Sequence, residues 1–265
     1  MLKTFIRTGP IFLIISIFSS LSWAQGMPRS LATSQGISLP AKTSMLSFSS
    51  GYTGNNPAGV IYHENVLLSL LADQNGSNGY GAEIGAGGAS WGLSAGYYKR
   101  SCTNCEGTGR GAAGIAFGGM AIGLQFEENI SSLGLLFNPQ GTHRLGLVGQ
   151  LNDPTGSDNN ITALGVGYAY VNGAFEFSLD ASTRTFENTA NKDDRIFLSP
   201  GVLLHSELVS LSLNYERLIN DTNEQNTNEE NGDLWFGLGI GKNTWHLAAY
   251  FDYYNELALS FSLSF

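Results

Sequence analysis

The chain ends on LALSFSLSF, where Leu257, Leu259, Phe261, Leu263 and Phe265 alternate with Ala258, Ser260, Ser262 and Ser264. A period of two belongs to an extended strand, whose side chains point to opposite faces in turn. One face here is large and apolar, the other small and polar. The rhythm recurs through the chain: Trp91, Leu93, Ala95 and Tyr97 alternate with Gly92, Ser94 and Gly96, and Leu164, Val166, Tyr168 and Tyr170 with Gly165, Gly167 and Ala169. Val209, Leu211, Leu213 and Tyr215, and then Leu234, Phe236, Leu238 and Ile240, repeat it. A soluble sandwich would carry polar residues on the outward face of many strands. Here the larger face is apolar throughout and its opposite is Gly, Ala and Ser. That suits a wall with lipid outside, and a closed barrel is the β-architecture that leaves no unpaired backbone in hydrocarbon.

The connections alternate in length. Short ones fall around Gly87-Gly88, Gly118-Gly119, Pro139 to Gly141, Asn172-Gly173, Ser206 and Lys242-Asn243. Long polar ones lie between them: Asp73 to Asn78, Ser101 to Arg110, Glu127 to Asn129, Asn152 to Asn159, Thr185 to Asp194 and Asn220 to Asp233. Short turns at one end and long loops at the other mark an outer-membrane barrel. The reading is all-β: a transmembrane antiparallel barrel over residues 63–265 with about 14 strands, a count of 12 being the alternative.

Residues 1–24 read as a signal peptide. Lys3 and Arg7 supply the positive start, Ile11 to Ile17 the apolar centre, and Ser22-Trp23-Ala24 a small-x-small cleavage site. Those two residues are the only basic ones in the leader, so 11 of the 13 Lys and Arg remain against 22 Asp and Glu, net −11. This argues against nucleic acid as a partner, which needs Lys/Arg stripes to neutralise phosphates. Only 13% of residues are charged and 34 are glycine; soluble domains run nearer a quarter charged. Cys102 and Cys105 sit in the Gly/Thr/Asn-rich stretch SCTNCEGTGRG. Behind a signal peptide, a small loop disulfide is the expected use. No catalytic constellation, metal site or cofactor motif stands out. GLGIGKN (residues 237–243) lacks phosphate-loop spacing, and DPTGSD (153–158) reads as a solvated loop rather than a calcium site. The chain is read as a non-enzyme.

Even-face parity places polar side chains toward the lumen: Glu83, Arg144, Gln150, Glu176, Asp180, Arg184, Asn214, Glu216, His246 and Asp252. Charges are costly toward lipid, so these should line water or pair across the interior. They could form a rigidifying network or a selectivity ring.

Residues 25–62 do not fit the barrel rhythm. They contain Gly54-Asn55-Asn56-Pro57-Ala58-Gly59, where Pro57 has no N–H to donate and restrains Asn56. By itself this is a fixed turn before the first strand. An Asn-Pro-Ala-Gly turn in that position resembles the FadL/TodX-type outer-membrane transport proteins, as does the terminal alternation ending on Phe. The resemblance implies a 14-stranded barrel with residues 25–62 folded into the lumen as a hatch, and Asn56, Pro57, Ala58 and Gly59 as its gate. It further implies passive passage of fatty-acid-like or aromatic compounds, a bacterial outer-membrane location and contact with outer-membrane lipid. The terminal alternation separately resembles the assembly signal of outer-membrane barrel proteins in general, which would make Phe261, Leu263 and Phe265 the signal read by the barrel assembly machinery. The chain is shorter than typical members and lacks their long helical loops, so no ligand-groove residues carry over. A general diffusion porin and a structural or surface-interaction barrel are the competing readings.

Overall fold

The computed structural model describes residues 56–62, 65–73, 79–100, 107–127, 130–152, 160–187, 192–206, 208–220, 233–242, 245–252 and 257–265. Residues 1–55, which include the expected signal peptide, lie outside them, as do Cys102 and Cys105. Within the strands, so do the side chains of Arg184, His205, Glu216, His246 and Asp252.

The described residues form one short 3-10 turn, Pro57–Tyr62, and an all-antiparallel sheet. Its strands are β1 Asn65–Asp73, β2 Gly79–Gly88, β3 Trp91–Arg100, β4 Gly107–Phe117, β5 Met120–Glu127, β6 Ile130–Phe137, β7 His143–Asn152, β8 Asn160–Asn172, β9 Phe175–Glu187, β10 Lys192–His205, β11 Val209–Asn220, β12 Asp233–Lys242, β13 Trp245–Asp252 and β14 Leu257–Ser264. Each strand pairs with its sequence neighbours, and β1 also pairs with β14, Leu68 opposite Leu263 and Leu70 opposite Phe261. The seam is finished by a reciprocal backbone pair: Phe265 N–H donates to the Val66 carbonyl at 2.9 Å and Val66 N–H to the Phe265 carbonyl at 3.3 Å. The ring therefore has no free edge to template aggregation. Among the described residues no helix is long and apolar enough to cross a membrane, which leaves crossing by strands untouched.

The all-β, antiparallel character is what the alternation predicts. Several expected loops are shorter in the structure; the stretch Thr185 to Asp194, for one, gives residues 185–187 to β9 and 192–194 to β10. The stretch Ser101 to Arg110 was expected to be loop, but β4 starts at Gly107 and includes Arg110; Glu127 likewise belongs to β5. Gly107-Thr108-Gly109 carries no large side chain, so the periodic signal fades where the strand continues.

The tight turns have visible chemistry. Gly118 (φ 55°) and Gly119 (φ 82°) take the positive angles of a two-residue hairpin turn. Between β6 and β7, Asn138 accepts φ 52°, donates from Nδ2 to the His143 carbonyl at 2.8 Å and receives the Gly141 N–H on its own carbonyl at 2.9 Å. Ser206 Oγ accepts from Val209 N–H at 2.9 Å, tying the β10–β11 turn. β10 contains Pro200, which donates nothing to a ladder. Its register with β11 skips from Leu198 opposite Arg217 to Gly201 opposite Asn214, and shifts between Ile196 and Phe197.

The faces separate cleanly. Leu70, Ile84, Leu93, Leu124, Leu133, Leu164, Leu213, Leu238 and Leu259 are exposed on the outside, at 42 to 61% of full accessibility. Trp91, Phe117, Phe137 and Phe175 mark this exterior near the short turns, and Tyr80, Tyr97, Phe126 and Tyr215 near the other end. The inner positions Glu83, Gly92, Ala112, Gly114, Ala121, Gly123, Ser132, Gly134 and Leu136 are buried. The core therefore lies inside the ring, on the small-residue face.

Candidate functional site: the seated N-terminal turn

Register across β3 to β6 brings four glycines into one row. Gly92 is opposite Gly114, Gly114 opposite Gly123, and Gly123 opposite Gly134. Gly87 of β2 extends the row beyond Gly92. The turn Pro57–Tyr62 lies on this row inside the barrel, in contact with β2 to β6. A Cβ at Gly92 would fall on the Val60 carbonyl and close to Ile61 N, and one at Gly123 on the Pro57 carbonyl and Ala58 N. At Gly134 it would meet the Asn56 side chain, and at Gly114 the Val60 side chain. Glycine in strand interiors costs stability and often marks close approach of another backbone; here that backbone is residues 56–61.

Asn56 fixes the turn. It is fully buried. Its Nδ2 donates to the Leu135 carbonyl at 3.0 Å and the Leu147 carbonyl at 3.2 Å, reaching β6 and β7 together. Its Oδ1 accepts Ala58 N–H at 3.0 Å, and its own carbonyl accepts Gly59 N–H at 2.9 Å. Both amide protons and the amide oxygen are thereby used. Ala58 and Ile61 pack with Ala121 and Leu136, and the half-buried Ala116 packs against them. Asn56→Ala should lower unfolding free energy by about 2–4 kcal/mol, because it strips a buried N–H and two carbonyls of a partner. Asn56→Asp should do no better, since a carboxylate donates nothing and brings a charge. Denaturant titration of the refolded protein in detergent micelles measures both.

A charged row lies four strand positions from the glycine row. Glu83, Gly96, Arg110 and Glu127 are successive partners across β2 to β5. The guanidinium Nη2 of Arg110 donates to Glu83 Oε2 across β3, with the two side chains 7% and 3% exposed. Gly96 carries no side chain to stand between them; a Cβ there would lie 3.3 Å from that of Glu83.

The other inward polar residues have separate places. Arg144 is buried and donates from Nε to the Gly141 carbonyl at 2.8 Å, so it serves the β6–β7 turn. Glu176, Ser178 and Asp180 are buried along one face of β9. Gln150 is half-buried on β7 and Asn214 half-buried on β11. His143 lies on the exposed face near the short turns, its Nδ1 2.8 Å from the Tyr168 hydroxyl and its ring 5.3 Å from that of Tyr170. Phe261 and Leu263 are half-buried and Phe265 is exposed. Among the described residues no group of three or more His, Cys, Asp or Glu is placed to hold a metal. An apolar groove of about 620 Å³, lined by Leu133, Leu147, Leu164, Val166 and Ile196 with Gly149 and Ala181, lies on the outer wall and not in the lumen.

Sequence reasoning missed Arg110, Gln125, Glu127, Ser132 and the glycine row. Counting parity back from Gly114 through Ala112 would have put Arg110 on the inner face.

The fold has solved counterparts. The chain is similar to the CymD monoaromatic hydrocarbon channel, with a TM-score of 0.52 and 13% identity over 82% of this chain and 94% of that one. It is similar to a mutant of the TodX monoaromatic hydrocarbon channel, with a TM-score of 0.53 and 11% identity over 81% and 95%. This chain has the fold of the monoaromatic hydrocarbon channels. Its sequence matches no family model and no curated protein. The likeness to these channels is one of fold.

Proposed function

We propose that this chain is a 14-stranded outer-membrane barrel that passes hydrophobic small molecules, aromatic or fatty-acid-like, by passive diffusion. Residues 25–62 act as its luminal hatch. The observation that carries the reading is the seated turn: Asn56 to Ile61 buried against the inner wall of a ring whose outer face is apolar on every side. In water, an exterior of this kind would be a large exposed hydrophobic surface. In a bilayer it is a lipid-facing band, and the aromatic residues near its two ends are the girdles that settle at the interfaces. Outer-membrane lipid is then the direct partner. The terminal strand, with Phe261, Leu263 and Phe265, serves the barrel assembly machinery. Glu83, Arg144, Glu176, Asp180, Arg184, Glu216 and Asp252 form the polar lining, and Cys102 with Cys105 a loop disulfide. The fold shared with the hydrocarbon channels supports the choice of cargo.

The test is planar-bilayer conductance of the refolded mature chain and of a form lacking residues 25–62, with saturable uptake of toluene into liposomes as the second readout. The intact protein should be nearly silent to ions, the shortened one should conduct steadily, and toluene uptake should saturate only with the intact form. Equal conductance from both would make this a general porin. Silence from both would make it a structural barrel whose loops carry the function.

A further inference from the structure

The glycine row and Asn56 bear on which part of the hatch moves, and the inference rests on the transporter reading above. We infer that residues 56–61 are a fixed part of the barrel wall and not a moving gate: the turn keeps its seat while molecules pass. Three independent features of the seat support this.

The first is steric. At Gly92 and Gly123 the space a Cβ would need is taken by the backbone of the turn itself, not by the end of a flexible side chain. Leaving the row would strip β3 to β5 of contact at the glycine positions that offer no side chains of their own.

The second is polar. Departure of the turn would break both Asn56 bonds, to Leu135 and Leu147, in one step. It would also pull a fully buried amide out of a site where its donors and acceptor are all used. The two carbonyls belong to adjacent strands, so small sliding of the turn cannot keep both.

The third is apolar. Ala58 and Ile61 are buried in one cluster with Ala121 and Leu136, and Val60 is fully buried beside it against Gly114. Segments that open readily have few buried contacts and solvent-exposed backbone hydrogen bonds. This turn has the opposite character: Ala58 and Gly59 N–H are both bonded within it.

Hydrogen exchange of the full mature chain in lipid nanodiscs, read by mass spectrometry on peptides spanning residues 56–61, tests this directly. Without added ligand, the Ala58 and Gly59 amides should exchange as slowly as those of β3 to β6. Saturating toluene should change their rates by less than two-fold. Exchange ten-fold faster than the strands, or a ten-fold acceleration on adding toluene, overturns the inference and restores the turn as the gate. The outcome is separable from that of the transport reading. If liposomes show no saturable toluene uptake while the turn stays protected, the cargo assignment fails and the fixed seat stands. Gly123→Val serves as the internal control: loss of protection at residues 56–61 in this variant, with strand protection kept, shows that the slow exchange comes from the seat. Unchanged protection in this variant means that the glycine row does not hold the turn.

Discussion

Gly123→Val is expected to unseat the N-terminal turn and lower unfolding free energy by about 3–5 kcal/mol, the sum of forced overpacking and lost apolar burial. The reason is local. A Cβ at this position falls on the Pro57 carbonyl and Ala58 N, and the β5 backbone is held by β4 and β6 on either side. The strand cannot retreat without breaking two ladders, so the turn yields. Ala58, Val60 and Ile61 then lose their contacts, and the Leu135 and Leu147 carbonyls lose Asn56. Gly92→Val should behave alike, because its Cβ meets the Val60 carbonyl. Gly111→Ala is the contrast: the nearest atom to its Cβ is 3.9 Å away, and the change should be near neutral. Denaturant titration measures the cost, and bilayer conductance shows whether an unseated turn raises leakage. Equal stabilities for Gly123→Val and Gly111→Ala would mean that the row does not bear on the turn.

Arg110→Ala should be the most damaging single charge removal among the described luminal residues, at about 3–5 kcal/mol, because it leaves the Glu83 carboxylate buried without its guanidinium. The pair is 7% and 3% exposed, and in such surroundings an ion is costly mainly when its partner is taken away. Glu83→Gln with Arg110→Gln in one chain should therefore cost less than Arg110→Ala alone. A double-mutant cycle on unfolding free energy reads the coupling. Additive costs would mean the contact contributes nothing to stability.

Much of the fold was legible because each strand declares its two faces within itself. Leu257 to Phe265 needed no partner to show an apolar and a small side. The positions of Gly118-Gly119 and Asn172-Gly173 announced tight turns, and both Gly118 and Gly173 have positive φ. Register between strands is a different kind of information. Gly92, Gly114, Gly123 and Gly134 are unremarkable one by one; they become a row only when four strands are aligned, and no single segment encodes that alignment. Asn56 was legible as the start of a rigid turn, but its partners are backbone carbonyls 79 and 91 residues away, which carry no side-chain signature. Arg110 escaped for the converse reason. Its strand begins with residues too small to show alternation, so a luminal cation was read as loop.

The row of glycines also bears on how such a protein can change over generations. Residues 56–61 and the wall beneath them occupy each other's volume, so neither can drift alone. A bulkier residue at position 92 or 123 demands a shorter or displaced turn, and a different turn leaves a hollow over four strands that have nothing with which to fill it. The N-terminal segment is therefore not an interchangeable cassette. A chimera that takes this stretch from another barrel should assemble properly only when β3 to β6 are transplanted with it, and the unit that recombination can move intact runs from Asn56 to the end of β6.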